Sequence, residues 1–256
     1  MEIKILGSGG AFGPPVWSCE CDICIKAGKN DRKNVRTRPS ILVTSKGKSI
    51  LVDMGPDFRE QMLREGIKHL DHVLITHPHK DHTACIYELV KADKVSLECP
   101  EPVFRYIQER DDIFEILASR NTQSTVGIFK PKNISSVFVD QIEVNHQKPE
   151  SKSNVPTFGY LFEENGKKVA YIPDFNEIED VHKMKNLDVF ICDGVFMDPY
   201  RGHIGINGGI ELYKKLKPKM MIFTHVSHFM AHAELEKYVK QFGNIKVAYD
   251  GMVIKV

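Results

Sequence analysis

Short apolar runs of strand length recur along the chain, separated by fewer stretches of helical period. Residues 2–6, 40–44, 49–53 and 72–76 read as strands, and the last contains the buried-type run Val73-Leu74-Ile75-Thr76. Helical spacing predicts a helix over 57–65, with Phe58, Met62 and Leu63 on one face, and another over 101–118 through Val103, Ile107, Phe114 and Leu117. Strands then fit 136–145, 157–163, 168–172, 188–192 and 219–224, helices fit 206–216 and 229–241, and a strand pair fits 245–249 and 252–256 around Asp250-Gly251. Two β-rich halves, each with helices, predict an α/β protein with two sheets packed face to face and helices outside.

Composition narrows this picture little. The chain has 256 residues, 42% of them hydrophobic, enough for a substantial core. Lys plus Arg number 35 and Asp plus Glu 34, so the net charge of +1 gives no overall attraction to nucleic acid or an anionic membrane. No run approaches the length of a membrane span, and the N-terminus lacks a signal-peptide core, so a cytoplasmic protein is expected.

Candidate chemistry concentrates in His77-Pro78-His79-Lys80-Asp81-His82, directly after a predicted strand. Imidazole and carboxylate at this density suit Zn²⁺, Mn²⁺ or Fe²⁺, and the spacing allows two ligand groups for two metals. A loop of solvated histidines does not account for the density. The pattern His77-x-His79-x-Asp81-His82 resembles the signature of metallo-β-lactamase-fold hydrolases. Three further residues match that family, each just past an apolar strand: His146 after Ile142-Glu143-Val144, Asp174 after Val169-Ala170-Tyr171-Ile172-Pro173, and His225 after Met220-Met221-Ile222-Phe223-Thr224. The resemblance implies a four-layer αββα sandwich spanning residues 1–256 as a single domain. It also implies that His77, His79 and His146 bind one metal, that Asp81, His82 and His225 bind the other, and that Asp174 bridges them. Asp53, in Leu51-Val52-Asp53-Met54-Gly55, matches an acidic position that supports the ligand loop.

A second cluster, Cys19-x-Cys21-x-x-Cys24, lies in a loop at about 17–30. Three thiolates this close suit a structural Zn²⁺ of Cys₃His type. His228 is the expected fourth ligand, three residues after His225, with His232 as the alternative. The run Gly7-Ser8-Gly9-Gly10-Ala11-Phe12-Gly13-Pro14-Pro15-Val16-Trp17-Ser18-Cys19 resembles the phosphoribosyl cyclic phosphate phosphodiesterase branch of the family. So do Thr157-Phe158-Gly159-Tyr160, Thr224-His225-Val226-Ser227-His228 and Asp250-Gly251-Met252. Quinone-biosynthesis proteins of the same fold share the knuckle, but an intact dinuclear site is not expected in them.

This branch implies a phosphodiesterase opening a small cyclic phosphate, with two active-site metals (Mn²⁺ or Zn²⁺, or else Fe²⁺) activating a bridging water. Asp81 and His203, in Arg201-Gly202-His203-Ile204-Gly205, are the catalytic candidates, His203 as general acid or phosphate clamp. The expected partner is a small phosphorylated substrate, neither a membrane nor nucleic acid, with a homodimer left open. The alternatives are hydrolysis of RNA, a thioester or a lactone, or a non-catalytic binding protein. Lys26, Lys29, Arg32, Lys33, Arg36 and Arg38 form a basic stretch that either lines a substrate approach or is a solvated loop. The glycines from Gly7 to Gly10 suit a tight turn beside the metals. Cys85, Cys99 and Cys192 read as small core residues, and His69, His72 and His182 carry no assigned role.

Overall fold

The computed structural model describes residues 1–29, 31–146 and 155–256. Position 30, at the end of the expected knuckle loop, lies outside the described residues. In chain order the elements are β1 (Glu2–Gly7), α1 (Asp22–Lys26), β2 (Ser40–Ser45), β3 (Lys48–Val52), α2 (Phe58–Glu65), β4 (His72–Leu74), α3 (Lys80–Thr83), β5 (Ser96–Cys99), α4 (Glu101–Gln108), α5 (Ile113–Arg120) and β6 (Thr125–Ile128). There follow β7 (Lys132–Ile134), β8 (Val137–Asn145), β9 (Thr157–Glu164), β10 (Lys167–Ile172), β11 (Glu177–Ile178), β12 (Val189–Asp193), α6 (Gly205–Leu216), β13 (Met220–Thr224), α7 (His232–Val239), β14 (Ile245–Val247) and β15 (Val253–Lys255).

Among the described residues the strands form two mixed sheets. The first runs β15-β1-β2-β3-β4-β5-β6, and the second runs β11-β8-β9-β10-β12-β13-β14 with β7 beside β8. Each sheet is antiparallel in its earlier part and parallel in its later part, from β3 to β6 and from β10 through β12 and β13 to β14. Alternating side chains explain the layering. Ile3, Ile5, Val43 and Val52 of the first sheet meet Tyr160, Phe162, Tyr171 and Ile191 of the second in a shared core. Opposite-facing residues such as Phe190, Met221 and Phe223 pack with Ile206, Ile210 and Leu235 of α6 and α7. Leu51, Val73 and Leu97 pack with Met62, Val103 and Leu117 of α2, α4 and α5. Each fully buried large apolar side chain contributes about 1.5–3 kcal/mol. The expected αββα sandwich is therefore the observed architecture.

Three expectations are corrected. The helix expected over 101–118 is two, α4 and α5: α4 ends at Gln108, and in the break Asp111 Oδ1 accepts the backbone N–H of Ile113, the first residue of α5, at 3.0 Å. Leu63 shares no buried face with Phe58 and Met62; it is 72% exposed. The last two strands do not pair: β14 runs parallel to β13, whereas β15 pairs antiparallel with β1. Asp250 between them is no hairpin corner. Its carboxylate accepts from the N–H and hydroxyl of Ser8 (2.9 and 2.8 Å) and from those of Thr37 (2.8 and 2.6 Å), tying the crossover to the first sheet. No described helix is long and apolar enough to cross a membrane.

Candidate metal centre

The strands deliver the candidate donors at their C-terminal ends, from both sheets. β4 leads into His77–His82, β8 into His146, β10 into Asp174, and β13 into His225. The first loop is held by close packing. A Cβ on Gly55 would lie 2.0 Å from the carbonyl oxygen of Asp81, so only glycine lets the two backbones meet. Asp53 and His225 take left-handed φ values of +67° and +58°, strain of the kind that clusters at functional sites.

The donor atoms converge in overlapping groups, among them His77–His79–His146, His77–His82–Asp174, Asp81–His82–His225 and His146–Asp174–His203, with atoms of each group within 4.8 Å of one another. Nε2 of His77 lies 2.9 Å from Nδ1 of His79. Nε2 of His82 lies 3.3 Å from Asp81 Oδ2 and 3.0 Å from Asp174 Oδ2. Nε2 of His225 is 3.4 Å from the same two carboxylate oxygens. Asp174 also approaches His146 Nε2 through Oδ1 at 3.9 Å, so its carboxylate stands between the two sides. His82 Nε2, Asp174 Oδ2 and His225 Nδ1 are buried without a hydrogen-bond partner among the described residues. A buried lone pair left unsatisfied is costly, and this donor chemistry fits divalent cations.

Surrounding groups orient the rings. Asp53 Oδ2 lies 2.8 Å from Nδ1 of His82, and Asp53 Oδ1 accepts the Thr76 backbone N–H at 2.8 Å. The Thr76 hydroxyl contacts Nδ1 of His77 at 3.0 Å, so one buried carboxylate steadies two imidazoles. Nδ1–H of His146 donates to the carbonyl of Gly202 at 2.8 Å, leaving Nε2 bare. Burial lowers the pKa of His77 well below its ordinary value, that of His79 to about 4, and that of His146 as well, favouring the neutral, lone-pair-bearing form. Burial also opposes protonation of His82, but Asp81, Asp53 and Asp174 raise it well above the usual range. Asp174, despite burial, is pulled well below the carboxylate range by His225 and His82.

His203 comes to the rim of this cluster. Its Nδ1 lies 2.7 Å from Asp193 Oδ2 and 3.5 Å from Asp174 Oδ1. Against burial, Asp193 and then Asp174 raise its pKa to about 9. Sequence reasoning missed Asp193, which is fully buried at the end of β12 and also accepts the Val195 N–H at 3.0 Å. Its signal was present: Val189-Phe190-Ile191-Cys192-Asp193 is an apolar strand ending in a carboxylate, as at Asp174. The Gly202 carbonyl was equally unforeseen. Tyr200 and His203 exchange both backbone hydrogen bonds at 3.0 Å, and Arg201-Gly202 form a tight turn with φ of +49° and +85°. That one turn orients His146 and presents His203.

The cysteine cluster assembles as expected. Nδ1 of His228 lies 3.4, 3.4 and 3.3 Å from Sγ of Cys19, Cys21 and Cys24. Tetrahedral zinc with ordinary bond lengths would separate such atoms by about 3.6 Å. The Cys24 backbone N–H and then His228 lower the Cys21 thiol to about 6, towards the metal-binding thiolate. His232 faces elsewhere, with Nδ1 3.0 Å from Arg36 Nη2. This also corrects the basic stretch: Arg36 is buried and donates to Ser8 and the Ala248 carbonyl, while Arg38 is paired with Asp57 at 3.1 Å. As expected, the glycine run packs beside the donors, because a Cβ on Gly10 would lie 3.3 Å from the His225 carbonyl oxygen.

Comparisons with known proteins agree with this architecture. The signature of the beta-lactamase superfamily domain matches residues 48–226. The chain is 27% identical over 269 residues to an octanoyltransferase of Porphyromonas gingivalis, with 98% of this chain covered; it spans about half (51%) of that protein's length. It is 25% identical over 303 residues to coenzyme PQQ synthesis protein B of Methylobacterium radiotolerans, with 100% of both covered. Among solved structures, a diphosphatase of the PhnP family superposes with a TM-score of 0.84 at 28% identity, over 100% of this chain and 97% of that one. Zinc-bound PqqB of Methylobacterium extorquens superposes with a TM-score of 0.85 at 23% identity over 100% of both, a likeness of fold. With the family signature covering well over half its length and the two-sheet sandwich in place, the chain belongs to the beta-lactamase superfamily and is a metallo-β-lactamase-fold protein resembling the PhnP family.

Proposed function

We propose that residues 1–256 act as a single-domain, cytoplasmic, dinuclear metal-dependent phosphodiesterase that opens a small cyclic phosphate of the phosphoribosyl 1,2-cyclic phosphate or 2′,3′-cyclic nucleotide type. The observation that carries the reading is the convergence of two donor groups around the Asp174 carboxylate, with His203 beside them. The PhnP-family diphosphatase neighbour supports chemistry at phosphorus.

His77, His79 and His146 would hold one cation, Asp81, His82 and His225 the other, and Asp174 would contact both. Two divalent cations, Mn²⁺ or Zn²⁺, would supply Lewis-acid charge and lower the pKa of an attacking water. The chain's own residues do the rest. Asp53 and the Gly202 carbonyl keep His82, His77 and His146 in the lone-pair orientation. Asp193 holds His203 by Nδ1, so Nε2 is the atom that can give a proton to the alkoxide released when the ring opens. Cys19, Cys21, Cys24 and His228 would hold a structural Zn²⁺ that pins the N-terminal loop to the segment carrying His225.

A second reading, a binding protein of the quinone-biosynthesis type, is favoured by the full-length match to PQQ synthesis protein B. Elemental analysis after metal loading separates the two. About three metals per chain support the enzyme, and about one, lost when the knuckle cysteines are replaced, supports the binding protein.

A further inference from the structure

A cleft of about 400 Å³ reaches the edge of the donor cluster, with His203 and the donor His225 in its lining. A group lying in it therefore adjoins one of the donors, His225, and the candidate proton donor His203. Its lining includes the apolar side chains of Phe12, Pro14, Val16, Val195 and Phe196, with Ser227 and His228 among the polar ones. Arg201 lies in the lining, and no Asp or Glu does among the described residues. A bare sugar phosphate offers such walls nothing to bury, whereas a flat aromatic group does.

Phe12 makes the case specific. Its side chain is 76% exposed, so the ring is free to meet a ligand in the cleft. The backbone beneath it is fixed rather than loose. Gly13 N–H donates to the Gly10 carbonyl at 2.8 Å, closing a turn with Phe12 near its tip. Gly10 N–H donates to the Val226 carbonyl at 3.2 Å, beside His225, and Arg38 Nε donates to the Ala11 carbonyl at 3.2 Å. The Phe196 ring, also in the lining, stands edge-on to His203, with centroids 5.7 Å apart. Two aromatic rings in one lining, one of them carried on an anchored turn, offer π-faces on which a base can stack.

We propose that this cleft is a nucleobase subsite, that Phe12 is its specificity-determining residue, and that the preferred substrate is a cyclic phosphate carrying a base. The proposal deepens the phosphodiesterase reading and rests on it. Arg201, the cation in the lining, suits an electron-rich base or a second phosphate on the same nucleotide.

The test uses the metal-loaded protein and two substrates, adenosine 2′,3′-cyclic phosphate and base-free ribose 1,2-cyclic phosphate. Phe12→Ala should lower the ratio of their kcat/KM values roughly 10- to 100-fold, through KM of the base-bearing substrate, and Phe12→Trp should restore it. An unchanged ratio overturns the subsite. Calorimetric binding of adenosine 3′-monophosphate provides the readout that does not depend on turnover. Weaker nucleotide binding by Phe12→Ala with neither substrate hydrolysed supports the subsite while refuting the phosphodiesterase. Binding unaffected by the substitution refutes the subsite whatever the activity.

Discussion

The carboxylate of Asp53 lies 2.8 Å from Nδ1 of His82, while Nε2 of the same ring faces Asp81 and Asp174 at 3.3 and 3.0 Å. The Asp53 carboxylate accepts from Nδ1–H, so when the ring gives up its second proton to a metal the lone pair is at Nε2. In Asp53→Asn the side-chain amide can donate instead and move the proton to Nε2, the atom facing the donors. Metal affinity at the active centre should fall about 10- to 100-fold, with the knuckle metal retained. Titration against a chelator, followed by elemental analysis, measures this, and wild-type affinity in the variant would deny Asp53 its orienting role.

His203 and Asp193 form a pair whose loss should affect turnover without affecting metal content. His203→Ala should lower kcat by roughly 10²- to 10⁴-fold. Asp193→Asn, which leaves the imidazole present but less firmly held, should cost about 10- to 100-fold. Steady-state kinetics together with metal analysis on both variants checks this. Wild-type kcat in His203→Ala would remove the proton-donor role.

Much of this site was legible because its residues obey one rule: a strand carries an apolar run and ends in a donor. His77, His146, Asp174 and His225 all follow it, and so does Asp193, which was overlooked because a single Asp carries no spacing motif. The Gly202 carbonyl is a backbone group, invisible to any reading of side chains. Arg36 read as part of a charged surface because sequence reports charge and not depth; its partners Ser8, Ala248 and His232 come from distant segments. The split between α4 and α5 was not legible because Val103, Ile107, Phe114 and Leu117 are all buried, as a single helix would also have them. The separation of β14 and β15 depends on Asp250 binding Ser8 and Thr37, partners more than 200 residues away. Short strands such as β5, β6 and β11 carry too few residues to show a period.

The knuckle should be separable from the catalytic donors. Cys21→Ser should remove about one metal per chain and leave the other sites able to bind. Because Val16 N–H donates to Cys24 Sγ at 3.4 Å, the wall formed by Pro14 and Val16 should loosen, raising KM before kcat. Loss of every metal in this variant would show that the two sites do not assemble separately.

One ion pair predicts the response to acid. Glu98 on β5 is buried, accepts Lys132 Nζ at 2.6 and 2.5 Å, and accepts the Ser96 hydroxyl at 2.7 Å. Burial would raise its pKa, but His72, Lys132 and Ser96 outweigh that and lower it from 4.5 to about 2. A depressed folded-state pKa stabilises the fold above pH 4.5, and that contribution is lost as the pH falls towards 2. Glu98→Gln should therefore lose about 1–2 kcal/mol at neutral pH, reduced from the full shift because Lys132 remains partly in water. Denaturant melts at pH 7 and pH 3 should show the gap between wild type and variant narrowing in acid. A gap that widens there would reverse the sign.

The most direct measurement is a hydrolysis panel on the metal-loaded chain, containing ribose 1,2-cyclic phosphate, a 2′,3′-cyclic nucleotide, an aryl phosphodiester, a lactone and a thioester. Turnover of the phosphodiesters, abolished by a chelator and restored by Mn²⁺ or Zn²⁺, is the expected result. Turnover confined to the lactone or the thioester would contradict it.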